Sequence, residues 1–284
     1  MGQVIATLNE KGGTGKTVLA VNLAVGLLAA GKTVLVIDED KMNGASDWLG
    51  AKESPGLADC LAKRIPLSQM IQVTPAGVDV VSSGGTKLDG QKKIIAAETG
   101  SHLALSRIFD PVLERYDFII IDTKGGWDDL TLATGWVANA FILPVIPEAA
   151  AIKGTISIIR DMNAHLKALG AIAYPANLGF VVSNAAKKAA HRVGLETLQR
   201  LESNHGVSIF AEIIKSSNIA SNAQMAKEPV FLHSPKSQLA KSFAAIAAEV
   251  VAKMKKVGDS PWQAIARLQP ADADVMGLEI DEIY

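Results

Sequence analysis

With one cysteine, Cys60, in 284 residues, the chain cannot close an intramolecular disulfide or build a cysteine-ligated metal cluster. Set in Leu57-Ala58-Asp59-Cys60-Leu61, that thiol reads as ordinary packing. A surplus of either charge is also missing: 28 Lys and Arg stand against 29 Asp and Glu, a net charge of -1, so no global field favours a nucleic acid or a membrane. Any such signal has to be local. The N-terminus lacks a basic n-region, and its first apolar stretch is interrupted at Asn9, Glu10 and Lys11, unlike a secretory signal or a membrane span. A cytoplasmic protein is expected. No Pro/Gly/Ser-rich linker divides the chain, and no internal repeat appears.

What is present is alternation, in a chain whose apolar fraction of 49% is ample for a core. Short β-branched runs at Val4 to Leu8, Thr33 to Ile37, Val78 to Val81, Phe118 to Ile121, Phe141 to Val145 and Leu178 to Val182 predict strands. Between them, Ala/Leu-rich stretches predict helices at Thr17 to Ala30, His102 to Arg115, Asp129 to Ala138, Ile152 to Leu169, Ala189 to Asn204 and Lys236 to Lys256. The expected fold is α/β, a doubly wound, mostly parallel sheet flanked by helices on both faces. Basic residues crowd the last third, whereas Asp259, Asp272, Asp274, Glu279, Asp281 and Glu282 face Arg267 alone after Gly258. The expected organisation is therefore one domain over residues 1–256 and an acidic tail over 257–284.

The first strand runs into Asn9-Glu10-Lys11-Gly12-Gly13-Thr14-Gly15-Lys16-Thr17 and then into a helix. Strand, glycine turn, Lys-Thr pair and helix are the context of a phosphate-binding loop. Gly12, Gly13 and Gly15 let backbone N–H groups converge on phosphate oxygens, and the helix start adds its positive dipole end. Lys16 is expected on the β- and γ-phosphates, with the Thr17 hydroxyl on Mg²⁺. Composition leaves Lys11 open between a solvated turn residue and a phosphate contact.

Two further strands end in acid. Val34 to Ile37 delivers Asp38, Glu39 and Asp40 at a carboxyl end, where ligands sit in open α/β sheets. Such carboxylates orient water and hold hydrated Mg²⁺, although they also cap helices. Phe118 to Ile121 ends in Asp122-Thr123-Lys124-Gly125-Gly126, an acid followed by a mobile turn. Asn184, closing the strand Leu178 to Val182, is a candidate for the adenine ring.

Lys11 to Thr17 resembles the KGGxGKT signature of the ParA/MinD family of deviant Walker A ATPases. Asp38 to Ser46 resembles its switch I, commonly DxDPQGNAT, with Lys41 and Met42 in place of Pro-Gln. Asp122-Thr123-Lys124-Gly125 resembles its switch II, with Lys124 where proline is usual, and Phe141 to Glu148 resembles the strand ending in PVxPE. Pro229-Val230 and Ser234-Pro235-Lys236-Ser237 resemble segments before the family's last helix. The resemblance implies ATP and Mg²⁺ as cofactors and Lys11, Lys16, Asp38 and Asp40 as catalytic residues. It places Lys11 to Thr17 on the nucleotide, and Thr17, Asp38 and Asp122 on the metal. It also implies that Lys11 crosses to the partner's ATP in a sandwich homodimer.

The resemblance narrows the task. The acidic end Gly277 to Tyr284 is unlike the basic amphipathic helix of membrane-positioning relatives, and one cysteine does not suit the iron–sulfur branch. A ParA-like positioning or partition ATPase, cytoplasmic and nucleoid-associated, is expected. Nonspecific DNA would meet Lys187, Lys188, Arg192, Lys215, Lys236 and Lys241, unless these are merely a solvated face. A ParB-like or adaptor protein would stimulate slow hydrolysis. The alternatives are a metabolic ATP-dependent synthetase or amidase with the same loop, and an ATP-binding switch with weak hydrolysis.

Overall fold

The computed structural model describes residues 1–97, 100–205 and 207–267. Seven strands, β1 (Gln3–Thr7), β2 (Val34–Asp38), β3 (Gln72–Val73), β4 (Asp79–Val81), β5 (Phe118–Asp122), β6 (Ala140–Val145) and β7 (Ala176–Val182), form one sheet in the order β3-β4-β2-β5-β1-β6-β7. Every pairing is parallel except that of β3 with β4 at the edge. The helices among the described residues are α1 (Lys16–Ala29), α2 (Gly44–Trp48), α3 (Leu57–Lys63), α4 (Lys87–Ala97), α5 (Ser106–Leu113), α6 (Asp129–Val137), α7 (Ala149–Ala168), α8 (Ala189–His205), α9 (Asn218–Met225), α10 (Val230–His233), α11 (Gln238–Met254) and α12 (Pro261–Ala266).

Strands β2 and β5 are apolar up to the acids that end them, because both faces of the sheet are covered. Strand pleating sends alternate residues to opposite cores. Val4 and Ala6, Leu35 and Ile37, and Ile119 and Ile121 join one core with Phe109 of α5, Trp136 of α6 and Met162 of α7. Ile5, Val34, Val36 and Ile120 join the other with Leu19 and Leu23 of α1 and Phe243 and Ile246 of α11. This is the doubly wound α/β sheet expected.

All six predicted strands and all six predicted helices are found, with shifted ends. The stretch His102 to Arg115 divides into a 3₁₀ turn at Ser101–Leu103 and α5. The last long helix starts at Gln238 because the Ser237 hydroxyl caps it, accepting from Ala240 N at 3.1 Å. The 11-residue α4 and the shorter α2, α3, β3, α9 and α10 were not predicted.

Packing also continues past the expected boundary at residue 256. Ser260 and Gln263 form a capping box for α12, which buries Trp262 and Ile265. Asn139 Nδ2 donates to Gln263 Oε1 at 2.7 Å and to Gly258 O at 3.0 Å. Asp259, read as part of an acidic tail, pairs with Arg267 at 2.7 Å. The other tail acids, Asp272, Asp274, Glu279, Asp281 and Glu282, lie outside the described residues.

Candidate nucleotide site

The glycine loop joins β1 to α1 at the carboxyl edge of the sheet. Asn9, buried beneath it, fixes its base: Nδ2 donates to Pro144 O at 2.7 Å and Thr155 Oγ1 at 2.9 Å, and Oδ1 accepts from Lys11 N at 2.9 Å. Gly13 and Gly15 adopt φ of 74° and 93°, the left-handed region that a side chain resists. A Cβ on Gly12 or Gly13 would meet nothing within 4 Å, so the loop's front is an open cradle. Thr14 is buried, and its carbonyl accepts from Ser183 Oγ at 2.6 Å, tying the loop to the end of β7.

Lys16 is only 6% exposed, and its ammonium donates to Asn9 O at 3.3 Å and Lys11 O at 3.2 Å. Burial lowers its pKa, while Asp122 and Asp40 pull the other way. Lys11, in contrast, is exposed at the mouth, with Nζ 3.6 Å from Glu148 Oε2. His191 Nε2 lies 3.6 Å from the other oxygen of Glu148.

Asp38, Asp40 and Asp122 gather beside this cradle, at the ends of β2 and β5. The buried Asp38 carboxylate accepts from Ser46 N and Ser46 Oγ at 2.9 Å and from Asp40 N at 3.0 Å, so it holds the following loop in place. Burial pushes it up to about 6. Asp40 in turn accepts from Met42 N at 3.0 Å. Asp122 Oδ1 accepts from Thr7 Oγ1 at 3.3 Å, but its buried Oδ2 has no hydrogen-bond partner. Burial, then the Asp38 charge, push Asp122 up to about 8, against the Thr17 hydroxyl and the Lys16 ammonium. An orphaned buried carboxylate oxygen next to a hydroxyl fits a hard divalent cation shared with phosphate oxygens. Among the described residues no group of three or more His, Cys, Asp or Glu forms an all-protein metal site.

Glu39 does not join its neighbours. Its carboxyl, 2% exposed, turns away to accept from Thr134 Oγ1 at 2.6 Å, and burial pushes it up to about 8. Asn184, at φ 49°, lies beside Gly13, Thr14 and Gly15 in a cleft of about 200 Å³ that also takes in Lys215, Ser217 and Ser221. Lys215 therefore lines the cleft beside the glycine loop, drawn there because its segment pairs with Ala185 past the end of β7. Lys187, Lys188 and Arg192 are exposed together where α8 begins, and Lys236 and Lys241 are exposed around the start of α11. None of these five or Lys215 is ion-paired among the described residues. Asn9, Ser183 and Thr7 were missed because buried polar anchors leave no periodic trace in sequence.

A family model described as an AAA domain matches residues 2–170, more than half of the chain. The chain belongs to this family, as a ParA/MinD-type P-loop ATPase. This ParA/MinD-type chain is 26% identical over 253 residues to the chromosome-partitioning ATPase Soj of Treponema pallidum, covering 89% of this chain and 98% of that one. Its fold is similar to an ATP complex of McdA from Cyanothece, with a TM-score of 0.75 at 19% identity over 88% of this chain and 96% of that one. It is similar to cobyrinic acid a,c-diamide synthase from Mycobacterium smegmatis with bound ATP analog and magnesium, at 0.74 and 20% over 90% and 97%. The two likenesses are nearly equal and concern the fold alone.

Proposed function

We propose that this chain is a ParA-like ATPase that binds ATP with Mg²⁺, dimerises around the nucleotide, and in that state holds nonspecific DNA while it positions or partitions a cargo. The observation that carries this is the division of labour between two lysines. Lys16 lies inside the cradle, whereas Lys11 is 56% exposed at its mouth with its ammonium free of the loop's own hydrogen bonds, which supports a contact with a second nucleotide.

In this reading the N–H groups of Gly12 to Thr17 and the Lys16 ammonium bind the β- and γ-phosphates. Thr17 and the open oxygen of Asp122 would hold Mg²⁺, and Asp38 adds negative charge from the neighbouring strand. Bound Mg²⁺ neutralises charge on the phosphates. Asp40, fixed by the turn that Asp38 organises, orients water with Asp38 on the γ-phosphate side. Lys11 contacts the partner's nucleotide, and Asn184 and Ser183 border the base. Exposed Lys187, Lys188, Arg192, Lys236 and Lys241 neutralise DNA phosphates without reading bases, with Lys215 at the edge of that surface. A ParB-like or adaptor partner raises a slow intrinsic rate. The protein works in the cytoplasm on the nucleoid. Among the described residues no helix is long and apolar enough to cross a membrane.

The test is binding to a nonspecific duplex at fixed salt without nucleotide, with ADP, and with ATP plus Mg²⁺, alongside mass measurement and the Lys11→Ala variant. ATP-dependent binding and dimers that disappear in Lys11→Ala are expected. Fast turnover with a small acid substrate, without DNA binding or ATP-dependent dimers, would instead favour a metabolic synthetase or amidase.

A further inference from the structure

Lys124 and Glu39, the residues that fit least well with nucleotide binding, meet the same helix, α6. Lys124 Nζ lies 2.6 Å from Asp128 Oδ2, and Lys92 of α4 reaches that same oxygen at 3.4 Å. The other oxygen of Asp128 caps α6, accepting from Thr131 N and Thr131 Oγ1 at 2.9 Å. Lys92 also donates to the Glu39 carbonyl at 3.4 Å. The Glu39 side chain is held by Thr134 of α6, while its N–H donates to Asp122 O at 3.0 Å. The first turns of α6 thus hold both acidic loops, one through Lys124 and one through Lys92 and Thr134.

The pairs are largely shielded, with side-chain exposures of 11% for Lys92, 20% for Asp128 and 32% for Lys124, unlike the open surface pairs that contribute little. Removing one partner from such a cluster leaves the others badly compensated. The turn it holds is also pressed on the phosphate loop. A Cβ on Gly125 would stand 3.3 Å from Glu10 O and from Gly12 N, and the Thr123 hydroxyl donates to Thr7 O.

We propose that Lys124 is a positioning residue for hydrolysis: through Asp128 and Lys92 it locks the turn after Asp122 and the loop after Asp38 into one unit seated on the phosphate loop. Proline in this position, usual in the resembling family, stiffens the turn from within. Here an ion network supplies the stiffness from outside and adds a link to the other loop. The proposal rests on the ATPase reading above.

The experiment compares wild type with Lys124→Ala, Lys124→Arg and Asp128→Asn. Asparagine still caps a helix but carries no charge, so Asp128→Asn separates the ion pair from the cap. Steady-state hydrolysis should show kcat lowered about tenfold in Lys124→Ala and Asp128→Asn, the size expected within one coupled network, with KM for ATP little changed. Lys124→Arg should recover most of the rate, and Lys124→Ala/Asp128→Asn should fall no further than either single variant. Hydrogen exchange on the ligand-free proteins is the second readout. Both charge-removing variants should exchange faster at residues 123–126 and also at 40–43. Wild-type kcat in both, or faster exchange confined to 123–126, overturns the proposal. A wild type that binds no ATP refutes the ATPase reading instead, while the exchange data still decide the locking of the two loops.

Discussion

Asp38 and Asp122 are partners across the parallel β2–β5 ladder, and neither has any solvent exposure. Adjacent strands lie only about 4.8 Å apart, so two buried carboxyls at one level resist ionising together. Burial raises Asp38 to about 6, Asp122 to about 8 and Glu39 to about 8. A carboxyl whose folded pKa is raised contributes stability below its unfolded value that is lost as pH rises through the folded value. The ligand-free protein should therefore melt several degrees lower at pH 8.5 than at pH 5. Mg²⁺ bound with ATP would place a cation beside these carboxyls and should flatten that dependence. A melting temperature that climbs across this window without ligand would contradict the assignment.

Replacing Asp122 by asparagine keeps the shape and removes the charge that burial disfavours. Asp122→Asn should raise the ligand-free melting temperature at pH 8.5 and abolish the extra stabilisation that Mg²⁺ adds to ATP. Differential scanning calorimetry with ATP, with and without chelator, reads both effects. Unchanged Mg²⁺ dependence would remove Asp122 from the metal site.

The two loop lysines should separate by assay. Lys16→Ala should weaken ATP binding roughly 10- to 100-fold, the range for losing charged hydrogen bonds. Lys11→Ala should leave the monomer's affinity within a few-fold and instead prevent ATP-dependent dimers. Calorimetric titration and mass photometry check the pair. Equal losses of affinity would place both ammonium groups on one nucleotide.

On DNA, changing Lys187, Lys188 and Arg192 together to alanine should reduce the slope of log affinity against log salt by roughly three, with no change in sequence preference. Titrations at several salt concentrations measure the slope. An unaltered slope would leave these residues as a solvated face.

Trp48 links the loop after β2 to a distant segment: its Nε1 donates to Glu228 O at 2.8 Å across 180 residues, beside an exposed Lys227–Asp47 pair at 2.5 Å. Trp48→Phe should cost about 1 to 3 kcal/mol in urea unfolding, from the stranded carbonyl and the lost ring volume. Lys227→Ala should cost less than about 1 kcal/mol because its pair is exposed.

Much of the fold was legible because its carriers are local. Phe118-Ile119-Ile120-Ile121 had to be a strand buried on both faces, and it is the central β5. The stretch from residue 44 to 97 was harder. Its helices α2 and α3 span only 5 and 7 residues and β3 only 2, too short for a period to emerge. The packing of residues 258–265 was hidden for another reason. Asp259 and Pro261 look like tail residues, but Pro261 opens a helix at N1, and Trp262 finds a pocket that composition does not record.

Sequence by itself determined the glycine loop between β1 and α1, since Gly13, Gly15, the Lys16-Thr17 pair and the strand before them are contiguous. It also determined that Asp38 and Asp122 end strands. Only the tertiary structure decided that these two acids share one level of the sheet, that Glu39 turns away from them, and that Lys215 comes to the cleft beside the glycine loop. It alone joined Lys92, Lys124 and Asp128. Such relationships depend on which strand lies beside which and which helix end covers them. Those choices are made by burial summed over two cores, and no spacing between neighbouring residues encodes them.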